Sequence, residues 1–247
     1  MKAVAFVPAR SGSVRVPDKN VRVLGEHPLI AYTISAALDS GVFDEVVVST
    51  DSETYADIAR HYGATVPGLR PQDIASSTSP DIEWVVLTLE QLAEQGREYD
   101  CFSILRPTSP FRQADTIRRA FAAFTSHQGL DSLRAVEVCK QHPGKMWVVR
   151  GETMTPLMPL SPEEQPWHST QFAALPTVYV QNASLEIAWV RCALEQKTIA
   201  GNVIAPFFTS DMEGFDINDP RDWTEAEHLV AENPAALPNV NKSPYTS

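Results

Sequence analysis

The chain has 247 residues, 43% of them hydrophobic, a size that suits one α/β domain with a small added segment. Its formal net charge of −11 argues against a nucleic-acid partner, because binding to a phosphate backbone requires a basic face. The three cysteines form no Cys-x-x-Cys pair, which argues against a disulfide framework or a zinc site. No apolar run reaches membrane-spanning length, so we predict a cytoplasmic protein without membrane contact.

The first twenty residues carry the most informative pattern. Residues 1–9 form an apolar run typical of a buried parallel strand. Residues 10–20 are small, polar and cationic, and a backbone with small side chains can approach a phosphate and direct several N–H groups at it. Three cations within ten residues of an acidic protein favour a triphosphate site over an ordinary basic loop. The residues expected to bind the nucleotide there are Ala9, Arg10, Ser11, Gly12, Ser13, Arg15, Lys19 and Asn20.

Helical and strand patterns alternate through the rest of the chain. Apolar residues recur at helical spacing over 28–37, and the run 46–48 is typical of a buried strand whose end, at 49–51, is a usual place for α/β ligand sites. This alternation predicts a mostly parallel sheet with helices on both faces. Further helices are predicted over 52–62, 81–95, 114–126 and from the segment 215–223 to about 232, and further strands over 101–105, 132–138, 178–189 and 203–208.

Two segments interrupt the alternation. Residues 140–176 contain six prolines and little periodicity, which predicts an insertion within a single domain that spans residues 1–232. Residues 233–247 contain three prolines and few apolar residues, which predicts a flexible C-terminal tail.

The acidic segment 216–219 is a candidate metal site. Alternation along an extended chain would place the side chains of Asp216 and Asn218 on one side. Hard oxygen ligands of this kind suit Mg²⁺. In proteins this ion is bound by one or two carboxylates, and substrate phosphates and waters are its other ligands. Asp219 followed by Pro220 is also a good start for a helix, and both interpretations can hold together, with Asp219 capping and Asp216 facing the metal.

The pattern A-R-x-G-S-x-x-x-P-x-K-N over residues 9–20 resembles that of the acylneuraminate cytidylyltransferases, which make CMP-activated nonulosonic acids. It is neither a Walker A motif nor a Gly-x-Gly-x-x-Gly fingerprint. The resemblance covers about residues 3–232. It implies a Rossmann-like nucleotidyltransferase sheet flanked by helices, CTP as co-substrate, Mg²⁺, an acidic sugar as acceptor, and a homodimer formed through the insertion. On this basis Arg10, Lys19 and Asp216 are the expected catalytic residues, with Asp216 and Asn218 as metal ligands.

Further segments match the family in part. The run 69–78 resembles the segment that encloses the cytidine, which implies nucleotide contacts from Arg70, Ser77 and Thr78. The run 106–112 resembles the family's Leu-Gln-Pro-Thr-Ser-Pro-Leu-Arg loop, which contacts the acceptor. Its glutamine is replaced here by an arginine, which suggests an additional anionic group on the acceptor. The expected acceptor contacts are Arg106, Thr108, Ser109, Gln171, Gln181 and Asn182.

Several departures from the family leave alternatives open. Gln171 stands where an arginine is usual, and Ala183 where a glycine is usual. A sugar phosphate or phosphonate acceptor, or GTP in place of CTP, therefore stays possible. Asn218 in place of the second aspartate and Val14 in place of a lysine favour a rival of another class, a non-catalytic nucleotide-binding homologue. The retained Asp216, Lys19 and Arg15 argue against that rival.

Overall fold

The computed structural model describes residues 1–159 and 161–246, which alternate between strands and helices as predicted. The strands are β1 (Ala3–Pro8), β2 (Val23–Leu24), β3 (His27–Pro28), β4 (Glu45–Ser49), β5 (Cys101–Ile104), β6 (Ser132–Val138), β7 (Trp147–Arg150), β8 (Thr153–Pro156), β9 (Tyr179–Trp189) and β10 (Ile204–Phe208). The α-helices are α1 (Leu29–Ser40), α2 (Glu53–His61), α3 (Asp81–Glu94), α4 (Ala114–Ser126), α5 (Val190–Leu194) and α6 (Pro220–Glu232). Within these residues no helix is long and apolar enough to cross a membrane.

The central sheet has six strands in the order β10-β6-β9-β5-β1-β4. Strand β1 pairs in parallel with β4 on one side and β5 on the other. Strand β9 runs antiparallel to β5. The predicted α/β class with a mostly parallel sheet is confirmed. The antiparallel strand was not foreseen, because a buried strand has the same composition in either direction.

Helices cover both faces of this sheet, as the alternation predicted. Ala5 and Val7 of β1 point into an apolar cluster that includes residues of α1, α2 and α4. The alternate residues Val4 and Phe6 point to the opposite face, where they pack with α3. The ring of Phe6 meets that of Trp84 edge to face, with 6.1 Å between the centroids. The carboxyl end of β1 is thereby fixed between two apolar layers, and the loop 9–20 starts from this rigid end.

A third apolar cluster holds the segment that precedes α6. Ile217 is fully buried there, and Trp223 of α6 is buried beside Leu24 and Tyr32. The guanidinium of Arg22 lies over the Trp223 ring, 4.3 Å from the centroid. These contacts bring the C-terminal helix against the chain that follows the loop 9–20.

Residues Val136–Gln181 form a compact unit of their own. The sequence showed little periodicity here, yet β7 and β8 pair as an antiparallel hairpin. His142 is buried, where Nδ1 accepts a hydrogen bond from the Gly144 N–H and Nε2 lies 3.0 Å from the Pro176 carbonyl oxygen. Leu160, inside the predicted insertion, lies outside the described residues.

The C-terminal segment makes specific contacts along its described length. Leu237 is buried in the third cluster, and the Tyr245 N–H donates to the Tyr62 hydroxyl at 3.1 Å. The His61 ring nitrogen Nε2 lies 2.8 Å from the carbonyl oxygen of Ser243. A few scattered apolar residues and hydrogen bonds thus hold this segment against the domain. The apolar residues are too few to produce a periodic pattern in the sequence. Ser247, the last residue of the predicted tail, lies outside the described residues.

Candidate active site

The loop that follows β1 is fixed by hydrogen bonds at both of its ends. The N–H of Ala9 donates to the Ser49 carbonyl of β4 at 2.9 Å, so this N–H is already used. The buried side chain of Asn20 donates from Nδ2 to the Arg10 carbonyl at 3.2 Å. Gly12 has a φ of +69°, and a Cβ there would meet no atom within 4 Å, so the left-handed backbone rather than crowding accounts for the glycine.

Asp51, just beyond β4, binds the start of this loop. Its carboxylate accepts the Ser11 N–H at 2.6 Å and the Ser11 hydroxyl at 2.7 Å. The sequence placed Asp51 at a strand end where ligand sites lie, but the contact with Ser11 could not be read from it. The Ser11 N–H, which was expected to face a phosphate, is bound by a carboxylate in this structure, and so is the Ser11 hydroxyl.

The cations of the loop differ in their surroundings. Nη1 of Arg10 turns back onto the loop and donates to the Gly12 carbonyl at 3.2 Å, whereas Arg15 is exposed. Nζ of Lys19 donates to the Ile217 carbonyl at 2.5 Å. Burial lowers the pKa of Lys19 below its ordinary value, while the nearby carboxylate of Asp216 acts in the opposite direction.

Asp216 and Asn218 do lie side by side, as the sequence predicted. Asn218 Nδ2 donates to Asp216 Oδ2 at 2.6 Å. The other carboxylate oxygen, Oδ1, is buried and has no hydrogen-bond partner among residues 1–159 and 161–246. The segment is irregular rather than the end of a strand, and it is fixed where the Ile217 N–H donates to the Thr108 carbonyl at 2.9 Å.

Asp219 caps helix α6, as expected. Its carboxylate accepts the N–H groups of Arg221 and Asp222, and the Asp222 side chain accepts the Asp219 N–H in return. This reciprocal capping box orients the helix start directly after the two candidate metal ligands. The same N–H groups hold the pKa of Asp219 below its ordinary value.

The donor set around Asp216 fits Mg²⁺ but not a metal that needs a protein cage. Across the part of the chain that is described, no group of three or more His, Cys, Asp or Glu side chains could hold a metal. An unpaired buried carboxylate oxygen beside an amide side chain supplies the one or two oxygen ligands that Mg²⁺ takes from proteins when phosphates and waters complete its shell.

Two adjoining clefts open along the loop 9–20. The first has a volume of ≈ 240 Å³ and the second ≈ 330 Å³. They share Arg10, Ser13, Lys19 and Ser77. The first is also lined by Pro8, Asn20, Arg70, Ile74, Ser76, Ser79, Asp81, Trp84, Arg106, Pro107 and Thr108, and the second by Val14, Arg15, Val16 and Asn218. An acidic protein therefore presents four cations, Arg10, Lys19, Arg70 and Arg106, to one cleft.

Arg70 lies in the wall of the first cleft and is almost fully buried. Its Nε donates to the Ser49 hydroxyl at 2.8 Å and its Nη2 to the Ser49 carbonyl at 3.0 Å. The guanidinium lies over the Trp84 ring, 4.6 Å from the centroid. Burial lowers the pKa of Arg70 to about 10, a value at which the side chain is still charged at neutral pH. Trp84 both fills the core and lines the cleft.

Arg106 is paired within the protein. Its Nη2 lies 2.6 Å from Asp81 Oδ2 and 3.0 Å from Glu186 Oε1. Glu186 is buried, and its second oxygen lies 2.9 Å from Nη1 of Arg134. Burial opposes the charge of Arg106, but the two carboxylates outweigh it and raise the pKa. Neither Asp81 nor Glu186 was singled out from the sequence, since their pairing with Arg106 spans 25 and 80 positions.

The other expected acceptor residues are spread more widely. Thr108 lines the first cleft, whereas Ser109 is buried with its hydroxyl unpartnered in the described chain. Asn182 donates to the Thr209 hydroxyl at 2.8 Å and is not among the described residues that line either cleft. Gln171 and Gln181 are exposed residues of the unit Val136–Gln181.

The serine-rich segment before α3 forms a rim of the first cleft. The Ser76 hydroxyl lies 2.8 Å from that of Ser79 and 3.2 Å from that of Thr78. Ser77 lines both clefts, but Thr78 lines neither. The sequence resemblance identified the segment and not which of its hydroxyl groups face the cleft, because consecutive side chains in a turn point in different directions.

Comparisons with known proteins identify the family. A family model described as Cytidylyltransferase matches residues 4–133. A CMP-N,N'-diacetyllegionaminic acid synthase of Legionella pneumophila is 35% identical over 243 residues, which is 96% of this chain and 100% of that protein. An N-acylneuraminate cytidylyltransferase of Escherichia coli is 43% identical over 119 residues, which is 48% of this chain and 27% of that protein.

A solved structure has the same fold. A CMP:2-keto-3-deoxy-manno-octonic acid synthetase complexed with CTP gives a TM-score of 0.68 at 16% identity, covering 94% of this chain and 99% of that one. At such an identity the likeness shows the fold alone. The family model and the full-length relative show the family as well. The chain therefore belongs to the cytidylyltransferase family, in the group that contains the CMP-nonulosonic acid synthetases, as its N-terminal motif predicted, and it is a nucleotidyltransferase.

Proposed function

We propose that this enzyme transfers CMP from CTP to a nonulosonic acid, with Mg²⁺ and with release of pyrophosphate. The single observation that carries the proposal is the convergence of Arg10, Lys19 and Arg70 on one cleft whose Lys19 is hydrogen-bonded to the backbone beside Asp216. A substrate with several negative charges fits a cleft of this kind in a protein whose net charge is −11. The full-length relative favours an acceptor of the N,N'-diacetyllegionaminic acid type.

The proposed orientation of the nucleotide follows from the charges. The triphosphate would lie along the loop, where Arg10, Arg15 and Lys19 line the two adjoining clefts. Arg70 is rigidly held by Ser49 and Trp84, so it is suited to bind the base or the ribose rather than a mobile phosphate. The serine rim at 76–79 would enclose the same end.

The reaction requires alignment and charge stabilisation rather than covalent catalysis. A hydroxyl oxygen of the acceptor would form the new bond to the α-phosphorus of CTP while the bond to the departing pyrophosphate breaks, and the hydroxyl proton is released. Arg10 and Lys19 would stabilise the charge that develops on the phosphoryl oxygens. Asp216, together with Asn218, would hold Mg²⁺, which when bound neutralises phosphate charge and orients the acceptor oxygen.

We also propose that the enzyme is a cytoplasmic homodimer assembled through the unit Val136–Gln181. This unit exposes several large apolar side chains, among them Val149 (69%), Phe172 (57%) and Met154 (55%). Side chains of this size in one small unit are typical of an interface. Light scattering at micromolar concentration should give twice the 27.2 kDa mass of one chain, and a monomer would contradict the proposal.

The decisive experiment is pyrophosphate release with Mg²⁺, the four nucleoside triphosphates and a panel of acceptors. The panel contains sialic, legionaminic and pseudaminic acids, Kdo, sugar phosphates and phosphonates. We expect release with CTP and a nonulosonic acid. Release only with GTP or only with a phosphate or phosphonate acceptor would contradict the proposed substrates. Binding of CTP without release for any pair would favour the non-catalytic alternative.

A further inference from the structure

The residue before Lys19 has an unusual backbone. Asp18 has a φ of +51°, in the left-handed region that residues other than glycine adopt only rarely. Its carbonyl oxygen accepts the N–H groups of Val21 and Arg22, each at 2.9 Å. The chain therefore turns sharply at Asp18, and this turn sets the direction in which the next side chain, that of Lys19, leaves the loop.

A buried hydroxyl from helix α2 holds this turn. The Tyr55 hydroxyl donates to Asp18 Oδ1 at 2.9 Å, while the Tyr55 ring is buried in the first apolar cluster. The N–H of Tyr55 is in turn accepted by the helix cap Ser52. Asp18 is thus joined to a side chain whose own position is fixed by core packing and by the start of a helix.

Lys19 is held from both sides along the chain. On one side Tyr55 binds Asp18, and on the other the buried Asn20 donates to the Arg10 carbonyl. This leaves Lys19 Nζ at the Ile217 carbonyl, next to Asp216 and in the wall of both clefts.

We propose that Tyr55 is a positioning residue for the nucleotidyl transfer, acting through Asp18 to keep Lys19 directed at the triphosphate. The inference rests on the proposed function, in which Lys19 binds phosphate. Tyr55 lines neither cleft, so its effect passes through the backbone of residues 18 and 19. A glycine at position 18 would adopt the same φ without the hydrogen bond from Tyr55. The effect of Tyr55 therefore depends on the side chain of Asp18.

The test is a double-mutant cycle between Tyr55→Phe and Asp18→Gly. Tyr55→Phe removes one oxygen and leaves the buried ring. We expect it to raise the Kd and the KM for CTP about three- to tenfold, the range of one lost hydrogen bond, with the acceptor KM and Tm little changed. In the Asp18→Gly background the same change should have no further effect, because a glycine needs no hydroxyl to keep this conformation.

Tyr62→Phe is the matched control. Tyr62 also belongs to the α2 region and is buried, but its hydroxyl contacts His27 and the Tyr245 N–H instead of the loop. The control should leave the Kd for CTP unchanged. An unchanged Kd in Tyr55→Phe would overturn the proposal, and so would an equal loss in the Asp18→Gly background or an equal loss in Tyr62→Phe.

Direct CTP binding separates this proposal from the proposed function. If the wild-type enzyme binds CTP but releases no pyrophosphate with any acceptor, the proposed reaction fails while the Kd ratios still decide the role of Tyr55. If the wild-type enzyme turns over and the Kd ratios are all close to one, the reaction stands and the positioning role fails.

Discussion

Nζ of Lys19 donates a hydrogen bond to the carbonyl oxygen of Ile217, 198 positions further along the chain. This bond joins the cationic loop after β1 to the segment that carries Asp216 and Asn218. Because the Ile217 N–H is bound by the Thr108 carbonyl, the loop after β5 is connected to the same point. Three segments that are remote in sequence, each identified by its own motif, therefore meet at one residue, Ile217.

Replacing Lys19 by alanine should lower turnover by at least about two orders of magnitude, because a charge-stabilising group at the phosphates is lost. The fold should persist, since Lys19 contributes to no apolar cluster. Pyrophosphate release and the thermal unfolding midpoint are the two measurements. The exposed Lys2 replaced by alanine is the control, and turnover within a factor of two of wild type in Lys19→Ala would remove Lys19 from the mechanism.

The pH dependence of kcat/KM for CTP should have an alkaline limb that starts below pH 10.5, the ordinary pKa of lysine. Burial lowers the pKa of Lys19, so the free enzyme loses this positive charge at a lower pH than an exposed lysine would. CTP binding is therefore supported below the lowered pKa and is lost as the pH rises through it. Lys19→Arg keeps this charge at every accessible pH and should move the limb to higher pH, where the remaining loss is that of Arg70, whose pKa is about 10. A limb at the same pH in that variant would assign it to a group other than Lys19.

Asn218→Asp should lower the Mg²⁺ concentration needed for half-maximal activity by roughly tenfold. It gives the metal a second carboxylate in place of a neutral amide that donates to Asp216 Oδ2. The Mg²⁺ titration of pyrophosphate release is the measurement. Asn241→Asp adds the same charge at an exposed position and should leave the titration unchanged. An unaltered titration in Asn218→Asp would remove residue 218 from the metal site.

Arg106→Gln should destabilise the fold by about 1–3 kcal/mol in the free energy of unfolding. The variant leaves Asp81 and the buried Glu186 with one cationic partner fewer. Because Arg106 is partly exposed, the loss of stability should be smaller than that for a fully buried ion pair. Denaturant unfolding measures this. Arg118→Gln, which removes an exposed ion pair with Asp115, should change the stability by less than about 0.5 kcal/mol.

The same Arg106 variant tests the acceptor interpretation. If Arg106 mainly neutralises Asp81 and Glu186, the KM for a nonulosonic acid should change by less than about tenfold. A larger rise in that KM without any loss of stability would instead support direct binding of an additional anionic group, as the sequence suggested.

Asp219→Ala should lower the Tm at pH 7 by roughly 2–4 °C, because the capping box of α6 is lost. The N–H groups of Arg221 and Asp222 hold the folded-state pKa of Asp219 below the ordinary 3.8. The contribution of its charge is therefore complete above pH 3.8 and is lost as the pH falls through the lowered pKa. The Tm difference from wild type should shrink in acid. The exposed Asp39 replaced by alanine is the control, and a difference that is constant down to pH 2 would contradict this account.

The sequence was sufficient for the fold class, the alternation of helices and strands, and the family. Apolar periodicity reports which face of each element is buried, so the spans of β6 and α2 could be predicted to within a residue or two. The motif at 9–20 identified the family because its order of residues is itself informative. These properties depend on neighbours along the chain.

Only the tertiary structure decided which partners each candidate residue has. Arg106 was interpreted as a ligand for an extra anion, and the fold pairs it with Asp81 and Glu186. Ser11 was expected to face a phosphate, and the fold gives its donors to Asp51. Such pairings depend on which strand ends lie side by side. A sequence records that order only indirectly, because hydrogen bonds between residues 25 to 198 positions apart leave no periodic pattern in it.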